Sequence, residues 1–108
     1  MSGTTDDPAR ELRRVVARLA SLSSERVDRR AVGADDSPAV GDRVRDQLQH
    51  LADVAADAEG RPRSLVPRLA SHALGDQLSV LVDDALAVVD ADGRADVAAR
   101  LTALRRTL

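Results

Sequence analysis

Chemistry near neutral pH would fall to two histidines, His50 and His72, because this chain of 108 residues has no cysteine. His50 stands with Asp46 at i−4, Asp53 at i+3 and Asp57 at i+7, a single stripe if the segment is helical. An imidazole with two carboxylates could hold a divalent metal or move a proton. Yet no second histidine stands one turn away, and the stripe points away from Val44, Leu48 and Leu51. A convex, wet face cannot exclude water, so we read a solvated acidic surface, with no metal and no cofactor.

His72 precedes Asp76 by one turn, where a carboxylate could fix the imidazole tautomer. Arg61, Arg63 and Arg68 lie just upstream and, with a helix starting near Ser71, could receive an anion. Arg61, Arg63, Arg68, His72 and Asp76 are thus the candidate ligand site. The competing reading is a helix start capped by Ser71 against a polar loop, and that reading is preferred. No catalytic residue is assigned: a glycine-rich phosphate loop, a GxSxG elbow and an HExxH pair are all missing. Without cysteine there is no disulfide, thiolate nucleophile or Cys-based zinc site. The chain reads as a non-enzyme.

Helices must position whatever function there is. Asp7-Pro8 reads as an N-cap followed by proline at the first helical position. Leu12, Val15, Val16, Leu19 and Leu22 then recur at offsets of three and four, predicting helix 1 over 8–22. Residues 1–7 read as a disordered N-terminus and 8–108 as a single helical domain. Residues 23–37 read as loop, with a helical turn over 24–30 and Val27 or Val32 docking on the core. Ser37-Pro38 repeats the cap-plus-proline signal and opens helix 2 over 38–59, which Gly60 closes and Pro62 keeps from resuming. The connector 61–70 should clamp Leu65, Val66 and Leu69 against the bundle. Helix 3 runs from Ser71 to Ala91 with apolar residues around more than half its circumference, which marks a central helix. Gly93 ends it, and Arg94 to the C-terminus forms helix 4 along Val97, Leu101, Leu104 and Leu108.

The core must come from 14 Leu, 13 Val and 19 Ala, since Phe, Tyr, Trp and Ile are absent. Small aliphatics bury less area apiece than aromatics, so the helices must pack closely or recruit a second copy. Lys, Asn, Ile, Phe and Tyr all have AT-rich codons, and their absence reflects a GC-rich genome. The first 20 residues lack the order of a signal peptide, and the run Ala85 to Val89 is too short to cross a bilayer. A cytoplasmic setting is the expectation.

Charge alternates along the chain: residues 1–30 carry +2, 31–60 carry −5, 61–75 carry +3, 76–93 carry −5 and 94–108 carry +3, for a net −2. Helices 1 and 4 are basic, and helices 2 and 3 acidic. The simpler reading sets basic beside acidic helices within one bundle; the sharper one has such faces meeting between copies or with a partner. Arg10, Arg14 and Arg18 repeat at i, i+4 on helix 1, with Glu11 reaching Arg14. Asp76, Asp83 and Asp90 form an acidic edge at heptad spacing on helix 3. Those six residues are the candidate interaction surface.

The stretch Arg61 to Leu81, RPRSLVPRLASHALGDQLSVL, together with the opening ELRRVVARLASLS, resembles uncharacterised small helical proteins of GC-rich actinobacteria. The resemblance implies a bacterial, cytoplasmic setting and brings no activity, cofactor or site residue. The reading reached is an all-α, four-helix bundle-like domain with helix 3 central. Its function is that of a non-enzymatic interaction module that binds itself, as a homodimer, or another protein, with no membrane partner. The alternative is nucleic-acid binding through Arg94, Arg100, Arg105 and Arg106 on helix 4 together with helix 1, the helix 3–Gly93–helix 4 outline being like a helix-turn-helix. It is disfavoured by acidic neighbours and by the lack of any aromatic to stack a base.

Overall fold

The computed structural model describes residues 7–22, 26–27 and 39–108, and among them it forms four α-helices. Helix α1, Pro8–Ser21, starts as its sequence dictates: the Asp7 side chain accepts from the Ala9 amide at 3.0 Å, and Pro8 occupies the first turn. Of the described residues beyond it, Arg26 and Val27 are helical, and Val27 is buried in the core. Val32 and the Ser37-Pro38 start signal lie outside the described residues, as do residues 1–6. Helix α2, Val40–Glu59, closes on Gly60 at φ 68° and ψ 24°, a left-handed conformation that side chains with a Cβ adopt at a cost.

Residues 61–70 form the expected extended connector, followed by a single 3₁₀ turn over Ser71–Ala73. Helix α3, Leu74–Val88, is capped by Ala73 without a side-chain bond, so Ser71 is not its cap. Helix α4, Ala91–Thr107, begins three residues earlier than its periodicity suggests. The reason is local: the Asp90 side chain accepts from the Gly93 amide at 2.9 Å, which makes Asp90 an N-cap and Gly93 part of the next helix. Gly93 stands there for want of space, since a Cβ on it would lie 2.5 Å from the Cβ of Val89 at the corner. Asp90 is thereby withdrawn from the acidic edge of α3.

Leu, Val and Ala build the core. Val15, Val44, Leu48, Leu74, Leu78, Val82, Val97 and Leu101 are almost wholly buried, and Ala55, Ala85 and Ala98 let helices approach closely between them. Helix α3 is central: it has the most extensive contact in all with the other three helices, and its stripe Leu74, Leu78, Val82, Ala85 lies in the core. The most extensive contacts are α2 with α3 and α1 with α4, followed by α1 with α3. No described helix is long and apolar enough to cross a membrane.

This pairing bears out the simpler charge reading only in part, because basic α1 lies against acidic α3 but neither of the two largest contacts is of that kind. The two largest contacts join like with like, acidic α2 to acidic α3 and basic α1 to basic α4. Within the basic pair, one carboxylate relieves the repulsion. Glu11 is 6% exposed and accepts from Arg105 Nε at 2.7 Å and Nη2 at 3.4 Å, with Arg14 at 3.7 Å. The Arg105 hydrogen bond holds the Glu11 carboxyl below its ordinary range against the opposing effect of burial, and the charges of Arg105 and Arg14 add to it. The Thr102 hydroxyl is buried near this pair but makes no hydrogen bond of good geometry.

Candidate interaction groove

The connector is the part of the fold least legible in the sequence, and it builds the most distinctive surface. Its leucines do not clamp on the bundle: Leu65 is 89% exposed and Leu69 is 45% exposed, while Val66 alone is half-buried. Polar side chains hold the connector instead. Gln49 of α2 donates to the Ser64 carbonyl at 2.9 Å and accepts from the Val66 amide at 3.0 Å, pairing with the backbone as a neighbouring strand would. Gln77 of α3 donates to the Pro67 carbonyl at 3.0 Å, and Arg45 donates to the Leu69 carbonyl at 3.2 Å. Two prolines and an extended path leave the connector's carbonyls without helical partners, and these three side chains supply them.

The three connector arginines reinforce this hold by turning onto α2. Arg61 meets Glu59 at 2.9 Å, Arg63 meets Asp57 at 2.6 Å and Asp53 at 3.8 Å, and Arg68 reaches Asp42 at 4.0 Å. The Arg63 hydrogen bond holds the Asp57 carboxyl below its usual range, and Asp57 holds the Arg63 proton more tightly in return. The three arginines thus turn toward α2 carboxylates rather than toward one another, Arg68 sharing Asp42 with Arg45 at 3.8 Å. His72 is exposed; it shares one hollow with Arg68, Asp42 and Arg45, and a second with Asp76, walled by Val16, Leu19 and Val27. His50 is half-buried rather than wet, and its Nε2 lies 3.6 Å from Asp96 of α4, not against Asp46 or Asp57. No three His, Asp or Glu side chains among the described residues converge as metal ligands.

With its polar atoms engaged by Gln49 and Arg45 of α2 and by Gln77 of α3, the connector leaves its apolar side chains to a surface beside α3. There they face α3 across an open groove of about 530 Å³. Leu65, Pro67 and Leu69 form one wall, Val80 and Leu81 the other, and Asp76 stands on the rim. Val80 is 58% exposed although it sits mid-helix. Leu65, Leu69 and Val80 are the exposed large hydrophobic residues of the described chain, and all three line this one groove. Singly exposed leucines need no explanation, whereas these three exposed side chains share one groove.

The remaining candidate residues divide. Asp76 and Asp83 are exposed on α3 without an ion pair among the described residues, and so is Asp84. On α1, Arg14 pairs with Glu11, whereas Arg10 and Arg18 are exposed. On α4, Arg105 is committed to Glu11 and Arg100 to Asp96 at 3.2 Å, leaving Arg94 and Arg106 near opposite ends of the helix. Gln49, Gln77 and Arg45 were not legible as functional residues. Their only signal is the chain's few glutamines lying on the helices that flank a proline-bearing connector. No family model, no curated protein and no solved structure matches this chain.

Proposed function

We propose that this protein is a non-enzymatic interaction module that works in the cytoplasm by binding a protein at the groove between the connector and α3. One observation carries the reading: the large apolar side chains left exposed are gathered around one groove, on α3 and on a connector held by Gln49, Gln77 and Arg45. A chain with so lean a core would gain stability by folding Leu65 and Leu69 inward, so holding them out suits a contact outside the fold. The partner is a second copy or another protein. Because the chain lacks cysteine, Leu65→Cys gives a unique attachment point for a photo-crosslinker. We expect a crosslinked species in the source organism that disappears when Val80 and Leu69 are changed to serine. Crosslinks indifferent to those changes, or none, would count against the module.

Nucleic-acid binding through α1 and α4 is the second reading. Its support is that the two basic helices lie side by side. The commitment of Arg100 and Arg105 to carboxylates weakens it. Retention on DNA that declines as salt rises would support it, and no retention at low salt would remove it.

A further inference from the structure

We propose that the occupant of the groove is a basic amphipathic helix of a partner protein, with apolar side chains in the groove and Arg or Lys on its flank. This inference rests on the interaction reading above and names the partner's chemistry. Around the groove, the cations and anions are not equally available. Arg61, Arg63, Arg68 and Arg45 are together balanced by Glu59, Asp57, Asp53 and Asp42 of α2, so they contribute little net field. On the α3 side, Asp76 lines the groove, and Asp83 and Asp84 flank Val80 on the same exposed helix face without ion pairs among the described residues. The free charge bordering the apolar strip is therefore negative. A basic partner segment is complementary to it, and an acidic one would meet repulsion.

The shape of the strip favours a helix. Asp76, Gln77, Val80 and Leu81 recur at offsets of one, three and one, a single stripe of α3 that Ala73 of the preceding turn extends to about 12 Å, facing the extended wall of Leu65 to Leu69. A channel with a helical ridge on one side accepts anchors at i, i+3, i+4 and i+7. The chain's own basic helices cannot serve without unfolding, because the apolar stripes of α1 and α4 are already spent in the core.

Two synthetic helices of about 18 residues, long enough to hold helical structure when bound, form the test. Both carry leucines at i, i+3, i+4 and i+7; one has arginines at the flanking positions and the other glutamates. Titration of the full chain by calorimetry should show binding of the Leu/Arg helix, weakened as salt rises. The Leu65→Ser/Val80→Ser double variant, which keeps every charge, should bind it about tenfold or more weakly, the loss expected when an apolar anchor goes unburied. Circular dichroism of that variant checks that it remains folded. Equal binding of the Leu/Glu helix, or binding unaltered by the serines, overturns the inference. So does light scattering that shows a dimer which the same serines convert to monomer, since the groove then takes a second copy. In that last outcome the interaction reading survives while the basic helix falls.

Discussion

Glu11 is the residue on which the basic half of the molecule turns. It is the only acid within α1 and lies buried between Arg105 and Arg14. Its carboxyl is held below the ordinary value of 4.5, so the unfolded chain binds the proton more readily than the folded one. The stability it contributes is thus complete above that value and is lost as pH falls through the lower, folded one. Glu11→Gln should cost about 1–2 kcal/mol at pH 7. Urea melts followed by circular dichroism should show that difference shrinking at acid pH, and a constant difference would contradict the linkage. Two glycines make a paired test at the same scale. Gly93→Ala forces a Cβ to within 2.5 Å of Val89 and should lower stability by about 1–3 kcal/mol. A Cβ at Gly75 meets Val16 at an ordinary 3.7 Å, so Gly75→Ala should raise the melting temperature by removing a flexible residue from a helix.

Among the elements, those with periodic apolar stripes were legible and the one without was not. The Asp7-Pro8 start of α1, the Gly60 stop of α2 and the centrality of α3 all follow from local rules that the structure obeys. The α3–α4 corner was misplaced because Gly93 has two uses, as a stop and as a spacer, and only the Asp90 cap decides between them. The groove was half legible. Sequence singled out the region and named Leu65, Val66 and Leu69, but an apolar residue near a core is ordinarily read as part of it. What turned them outward is a set of contacts between residues 10 to 24 apart, invisible to any periodicity. Gln49→Ala should therefore loosen the connector without melting the helices. Hydrogen exchange should show the Val66 amide losing its protection while amides within α2 and α3 keep theirs; protection that persists would mean the connector is held by something else.

At the scale of the whole molecule, like-charged helices lie together, and each pair finds its counter-charge differently. The α1–α4 pair uses one buried carboxylate, while α2 uses the arginines of the connector. That second solution joins electrostatics to the proposed function, because the arginines that quiet α2 also help fix the backbone whose leucines point outward. Their exposed pairs contribute little apiece, and high salt should loosen the connector more than the core. The acidic face of α3 has no such counter-ion among the described residues, which is why a basic partner suits it.

The central claim is that the apolar groove residues are held out of the fold for something else to cover. The stability of the isolated Leu65→Ser/Val80→Ser chain against urea, read by far-UV circular dichroism, tests it most directly. The account expects a change within about 0.5 kcal/mol of the unaltered protein, as for surface positions. A loss of about 2 kcal/mol or more, the size seen when a core leucine is replaced, would show that these side chains belong to the core.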